Sequence, residues 1–156
     1  MNLRLFAERA QLLLRILDQY RSRSAPQREM LIDPVFLAVL SAPDPHRLVR
    51  RQYPVPAGRI DFRIGGTNPV AVELVVRPPK GSSEIYGSQN GDELKKLSGL
   101  AQSQAKLRVL LLIDRRKQPI PEDSLKRTYK KRKRQSGSSA VQVIYVHTKD
   151  TYRFKW

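Results

Sequence analysis

The run Leu107–Asp114 constrains the fold of this 156-residue chain more than any other segment. Its apolar residues follow one another almost without interruption, as in a strand that is covered on both faces. Such a strand requires a layered fold with helices above and below a sheet. Apolar residues three and four apart in 3–20 and after Asp92 predict those helices. The sequence therefore predicts an α/β fold in which helices flank both faces of a central mixed sheet.

The remaining elements follow from periodicity and from turn residues. The predicted helices are 3–20, 35–40, 92–106 and one that begins at 121 and ends within 130–134. The predicted strands are 46–55, whose prolines suit a sheet edge, then 59–64, 70–76, 107–114, 140–146 and 151–156. Since 40% of the residues are hydrophobic and no repeat is visible, residues 1–156 are expected to form a single domain. Its three parts are the N-terminal helices and edge strand (1–57), a hairpin–helix–strand core (58–115), and a basic helix with C-terminal strands (116–156).

The strands 59–64 and 70–76 flank a segment of turn-forming residues, 65–69, and so predict a β-hairpin. If residues 66–68 form the loop, Asp61 lies opposite Glu73 across the ladder. Because side chains alternate along a strand, both carboxylates then share one face, and a slip of one residue would separate them. The opposite face is expected to carry Ile60, Phe62 and Ile64, with Val70, Val72, Leu74 and Val76 on the partner strand.

Two acids that face each other across a ladder destabilise a hairpin, and a bound cation relieves that cost. Hard divalent cations such as magnesium take carboxylate, carbonyl and water oxygens. Asp61 and Glu73 are therefore a candidate metal site. The alternative is that both are solvated or paired with the nearby arginines Arg59, Arg63 and Arg77.

Charge indicates the class of partner. The chain has 30 Lys and Arg residues against 14 Asp and Glu, a net charge of +16 that is typical of nucleic-acid binding. No apolar run approaches the roughly 18 residues of a membrane span, so no membrane partner is expected. The absence of cysteine excludes disulfides, thiolate zinc sites and cysteine nucleophiles. The first turns carry charges throughout, unlike a secretory signal, which indicates an intracellular protein of the cytoplasm or nucleoid, or of the nucleus in a eukaryote.

Positive charge is concentrated near the end of the predicted basic helix. The residues that carry it are Lys126, Arg127, Lys130, Lys131, Arg132, Lys133 and Arg134. Such a run neutralises phosphates and adds affinity for the nucleic-acid backbone without sequence preference. The alternatives are a tail-like loop or, in a eukaryotic host, a nuclear localisation signal. Arg77 and Lys80, which follow the hairpin, are further candidates for contact with nucleic acid.

Four segments of the chain together resemble a known family. They are Gly58–Phe62, Val70–Val75, Asp92–Leu97 and Val109–Ile113, and they look like the PD-(D/E)XK, or restriction-endonuclease-like, nuclease superfamily. The resemblance covers about residues 1–115 and implies the fold and the phosphodiester hydrolysis of that family.

The resemblance also implies roles for individual residues. Asp61 and Glu73 match the acids that hold the catalytic magnesium or manganese, and the Leu74 carbonyl is a further expected ligand. Glu8, on the first helix, matches the position where some members place an additional acidic ligand. The departure from the family lies at Val75, which stands where the motif lysine should be.

Some family members supply the positive charge from the neighbouring helix, which nominates Lys95 or Lys96. A lysine there would orient the attacking water and stabilise the charge that builds on the phosphate. The expected function is a magnesium-dependent endonuclease or exonuclease that hydrolyses nucleic acid, with DNA as the expected substrate. The alternatives are a catalytically degenerate nucleic-acid-binding module of a larger nucleoprotein complex and a basic structural protein of a ribonucleoprotein particle. An enzyme with one site per chain that cuts both strands of a duplex would work as a homodimer.

Overall fold

The computed structural model describes residues 2–19, 49–55, 58–77, 90–130 and 139–156. The elements in these residues are, in chain order, α1 (Leu3–Gln19), β1 (Val49–Val55), β2 (Gly58–Ile64), β3 (Val70–Arg77), α2 (Asn90–Gln102), β4 (Leu107–Asp114), α3 (Glu122–Lys130), β5 (Gln142–Val146) and β6 (Thr151–Lys155). The helix predicted at 35–40 lies outside the described residues.

The six strands form one sheet in which their spatial order is their order along the chain. Strands β3, β4 and β5 run parallel, and the other neighbouring pairs are antiparallel. β4 has the predicted bounds and lies inside the sheet, with its last six residues buried. The prediction of an α/β fold with a mixed sheet is confirmed.

Helices cover both faces of this sheet and bury two separate cores. Side chains of α1 pack on one face with the odd-numbered residues of β4, and the buried members of this first core include Phe6, Ala10, Leu14, Phe62, Val109 and Leu111. The other face packs against α2 and α3 with the even-numbered residues of β4, and this second core includes Leu97, Leu100, Leu110, Leu112, Leu125 and Tyr129. The uninterrupted apolar sequence of β4 is explained by this coverage of both faces.

The acidic hairpin has the predicted register. Phe62 pairs with Val72, and Ile64 pairs with Val70. Gly66, in the turn, has a φ of 115°, a conformation that glycine adopts without steric cost. The ladder ends at Phe62, so Asp61 lies one residue beyond the last pair, in the register that sets it opposite Glu73.

The predicted alternation of faces along β2 is wrong at Ile60. Ile60 packs in the second core, whereas Phe62 lies in the first. The reason lies in β1, where Gln52 has a φ of 49°. Arg51 pairs with Phe62 and Tyr53 pairs with Ile60, but Gln52 between them has no partner in the ladder. A left-handed residue turns the strand locally, and both strands therefore change faces at this point.

Helix α2 ends at Gln102, four residues before the predicted end at Lys106. The backbone amides of Lys106 and Leu107 donate to the Pro69 carbonyl, at 2.9 and 3.3 Å. These bonds draw the chain beside the start of β3 and begin the parallel strand β4. The segment between α2 and β4 is thus held by a tertiary contact with the hairpin.

A buried polar cluster fixes the connection between β4 and α3. Asp114 is fully buried and accepts hydrogen bonds from Arg116 Nη2 at 2.7 Å and from the Tyr145 hydroxyl at 2.8 Å. The same hydroxyl accepts the Ile120 amide at 2.8 Å, and the Tyr152 hydroxyl donates to the Ile120 carbonyl at 2.8 Å. Burial acts to raise the pKa of Asp114, but the bonds from Arg116 and Tyr145 hold it below its usual value.

Candidate acid–lysine site

Asp61 and Glu73 are buried side chains on adjacent strands of the hairpin. Their exposed fractions are 8% and 3%, far below those of solvated acids. The Leu74 amide donates to Asp61 Oδ2 at 2.8 Å, and Gln52 Nε2 donates to Asp61 Oδ1 at 3.3 Å. Since β1 and β3 each supply a donor, Asp61 is held from both sides at the point where β2 leaves the ladder.

Lys96 reaches these acids from α2. Its Nζ lies 2.9 Å from Asp61 Oδ2 and 3.7 Å from Glu73 Oε2, and it donates to the Leu74 carbonyl at 2.6 Å. The helix is fixed by Leu97 and Leu100, which are buried in the second core. Lys96 therefore reaches the hairpin from the neighbouring helix, and three oxygen atoms of the hairpin converge on its ammonium group.

The two carboxyl groups have opposite pKa shifts. Burial, then the hydrogen bond with Asp61 and the Asp61 charge, raise the pKa of Glu73 to about 9. Burial acts in the same direction on Asp61, but the hydrogen bond with Glu73, the Lys96 charge and the Leu74 amide hold the pKa of Asp61 below its usual value. One proton therefore resides on Glu73 while Asp61 is ionised, as is general for carboxyl pairs too close to ionise together.

Of the other proposed site residues, the structure separates Glu8 from this group. Val75 is half-buried and packs against the second core, so β3 itself contributes no cation beside Glu73. Glu8 lies on α1, on the opposite face of the sheet, where its carboxylate accepts from Arg4 Nε at 2.9 Å. The side chain of Lys95 lies outside the described part of the structure. Asp61, Glu73, Leu74 and Lys96 are thus brought together, and Glu8 is not.

The basic residues predicted to contact nucleic acid lie on α3, at the end of β3, or outside the described residues. Helix α3 packs over β6, where the rings of Tyr129 and Phe154 are 5.4 Å apart. On this helix Lys126 pairs with Glu122 at 2.7 Å, and the two exposed cations are Arg127 and Lys130. Arg77 is half-buried at the end of β3. Lys80, Lys131, Arg132, Lys133 and Arg134 fall outside the described residues.

Gln52 is the site residue that the sequence did not reveal. Nothing in the run Val49–Val55 signals a left-handed residue, and its amide is a donor to Asp61 only because β1 pairs with β2 in this particular register. The sequence does reveal the acids, since a register count across the hairpin turn is enough to set them opposite each other.

The oxygen atoms of the site suit a hard divalent cation. Two carboxylates and the Leu74 carbonyl face the same point, and magnesium is commonly held by one or two carboxylates together with water. Glu73 Oε2 is buried and has no hydrogen-bond partner among the described residues. The described residues contain no group of three or more His, Cys, Asp or Glu side chains that could hold a metal. A metal here would thus have two protein carboxylates and a backbone oxygen.

Among the described helices, none is both long and apolar enough to cross a membrane. Comparisons of the chain with protein-family models, with curated proteins and with solved structures gave no significant match. A function for this chain therefore has to be inferred from the geometry of the acid–lysine site and from the charge around it.

Proposed function

We propose that this protein is a magnesium-dependent nuclease of restriction-endonuclease-like fold that hydrolyses phosphodiester bonds in nucleic acid, with DNA as the expected substrate. One observation carries the proposal. Asp61 Oδ2, Glu73 Oε2 and the Leu74 carbonyl converge on a single cation, the Lys96 ammonium group. The order of hairpin, helix and parallel strand, with the helix lysine directed at the acids, supports the same assignment.

Asp61, Glu73 and the Leu74 carbonyl would hold the magnesium or manganese ion. When bound, a divalent ion supplies Lewis acidity that lowers the pKa of water and neutralises charge on a phosphate. Glu73 must release its proton to act as a ligand, so cation binding and proton release are coupled in this pair. Asp61 is already ionised and is held in place by three donors, the Gln52 side-chain amide, the Leu74 backbone amide and Lys96.

Lys96 would supply the positive charge that Val75 does not. Among the described residues, it is the cation whose ion pairs reach both acids. Its side chain enters from α2 rather than from β3. An ammonium beside the reacting phosphate stabilises the negative charge that develops in the transition state and orients the attacking water.

A specific observation also favours the second candidate, a catalytically degenerate nucleic-acid-binding module. Lys96 already forms a close ion pair with Asp61 and lies 3.7 Å from Glu73, and such a buried ion pair is a sufficient structural role for Lys96 and Asp61. In that case the positive charge of the chain would serve binding alone.

Cleavage assays with matched variants distinguish the two candidates. Purified protein is incubated with supercoiled, linear and branched DNA and with RNA, in magnesium or manganese and then in chelator. We expect metal-dependent cleavage that falls at least about 100-fold in Asp61→Ala, Glu73→Ala and Lys96→Met, because each removes a group that acts in the transition state. Glu8→Gln removes a carboxylate on the other face and should retain full activity.

Two outcomes of these assays would contradict the nuclease proposal. Cleavage that persists in both the Asp61 and Glu73 variants rules out the proposed site. Binding without cleavage under every metal condition supports the degenerate module instead.

A further inference from the structure

Strands β1 and β2 hold a pair of arginines directly opposite each other. Arg50 pairs with Arg63 in the antiparallel ladder, and the guanidinium of Arg63 lies over the ring of Tyr53, 4.6 Å from its centroid. Arg50 is exposed and Arg63 is half-buried. Like charges at directly opposed positions destabilise a ladder, so this arginine pair has an electrostatic cost in the isolated protein.

The arginine pair is adjacent to the acid–lysine site. Arg63 is two residues from Asp61 on β2, about 7 Å along the strand. It pairs with Ala71 of β3, which packs in the second core on the α2 face of the sheet and is two residues from Glu73. The arginine pair and the acid pair therefore lie side by side on the α2 face of the sheet.

The two pairs differ in how their charge is compensated. Lys96 lies within ion-pair distance of both acids, whereas no ion pair of the described residues involves Arg50 or Arg63. The ring of Tyr53 holds the Arg63 guanidinium in place, which reduces the entropy that it would lose on binding a ligand. A polyanion laid across β1 and β2 would supply the missing negative charge at the edge of the proposed catalytic site.

We propose that Arg50 and Arg63 bind the phosphodiester backbone of a nucleic-acid strand and direct it over β2 toward Asp61 and Glu73. That the nucleic acid is led toward Asp61 and Glu73 rests on the proposed function, whereas binding by the arginine pair does not. Lys126, Arg127 and Lys130, the described cations of the predicted basic run, lie on α3, which packs over β6 at the opposite edge of the sheet from β1. Arg50 and Arg63 lie on β1 and β2, and β2 also carries Asp61.

Salt dependence of binding tests this surface directly. Affinity for a labelled DNA strand is measured by fluorescence anisotropy at several salt concentrations in chelator, so that no cleavage occurs. Each lost phosphate contact reduces the slope of log K against log salt by about 0.7 to 0.9. We expect the double variant Arg50→Gln/Arg63→Gln to reduce the slope by about 1.5 and to weaken binding at least about tenfold at 0.1 M salt.

The control removes the same charge from the opposite edge of the sheet. Arg153→Gln/Lys155→Gln changes two exposed cations of β6 and should leave the slope unchanged. Arg50→Lys/Arg63→Lys keeps the charge and should retain most of the slope. If loss of the Tyr53 contact impairs folding of the double variant, Arg50→Gln alone should give about half the change in slope.

The proposal would be overturned if the β1–β2 and β6 double variants lost equal amounts of salt slope. It would also be overturned if the β1–β2 variant kept the slope of the parent protein. Failure of the nuclease proposal is distinguishable: the protein would cleave no substrate, but the Arg50 and Arg63 substitutions would still reduce the salt slope of binding. If the protein cleaves nucleic acid but the substitutions leave the salt slope unchanged, the nuclease proposal stands and binding by Arg50 and Arg63 is excluded.

Discussion

Asp61 and Glu73 share one buried environment and yet hold different charges, and single contacts explain the difference. The Lys96 ammonium is 0.8 Å nearer to the Asp61 carboxylate (2.9 Å) than to that of Glu73 (3.7 Å). The Leu74 amide donates to Asp61 as well. Because hydrogen bonds and positive charge favour the ionised form, Asp61 keeps its charge and the proton goes to Glu73.

Glu73 should make the stability of the ion-free protein depend on pH. Its pKa is about 9 in the fold, against 4.5 as the ordinary value, so between these pH values the folded state binds a proton that the unfolded state has released. The stabilisation is therefore complete below about pH 4.5 and is lost as the pH rises toward 9. We expect the free energy of unfolding, measured by urea titration in chelator, to decrease from pH 5 to pH 9.

Glu73→Gln is the matched control for this effect, since the amide resembles the protonated acid and does not titrate. The variant should show a flatter profile over the same range. A variant profile as steep as that of the parent would assign the pH dependence to other groups. In magnesium, affinity for the ion should rise with pH, because binding must displace the same proton.

At the scale of elements, what could be predicted from the sequence was local. The strand Leu107–Asp114 and the hairpin register follow from apolar runs and turn residues a few positions apart. The left-handed conformation of Gln52, and with it the change of face at Ile60, arises from pairing between strands and leaves no local signal. The family resemblance nominated Lys95 or Lys96, but the contact of Lys96 with the Leu74 carbonyl depends on how α2 docks on the sheet.

The connection between β4 and α3 was also beyond local inference, because residues about 30 positions apart build it. The hydroxyl of Tyr145 joins the buried Asp114 to the Ile120 amide. Tyr145→Phe keeps the ring that stacks on Tyr152 but leaves that buried amide without its acceptor. We expect a loss of about 1–3 kcal/mol in the free energy of unfolding.

Tyr152→Phe provides the comparison, because it removes one hydrogen bond to the Ile120 carbonyl from a half-buried position that water can reach. Its cost should be about 0.5–1.5 kcal/mol, smaller than that of Tyr145→Phe. Chemical denaturation of both variants at one pH measures the difference. If the two losses are equal, the Tyr145 hydroxyl has no special part in anchoring the connection.

At the scale of the whole molecule, positive charge is in excess on a small fold. A net charge of +16 on 156 residues creates self-repulsion that opposes the compact state and attracts polyanions from solution. Both edge strands of the sheet carry exposed cations, Arg50 and Arg51 on β1 and Arg153 and Lys155 on β6. Charged edges also discourage pairing with strands of other chains.

This excess predicts two salt effects of opposite sign. Added sodium chloride screens repulsion among the cations, so the free energy of unfolding of the protein alone should rise between low and physiological salt. The same salt should weaken nucleic-acid binding steeply, because the counterions released on binding gain less entropy when they enter a more concentrated solution. Urea unfolding and anisotropy titrations over one salt series measure both effects. If the free energy of unfolding instead falls with salt, the stabilisation by ion pairs such as Lys96 with Asp61 exceeds the destabilisation by repulsion among the cations.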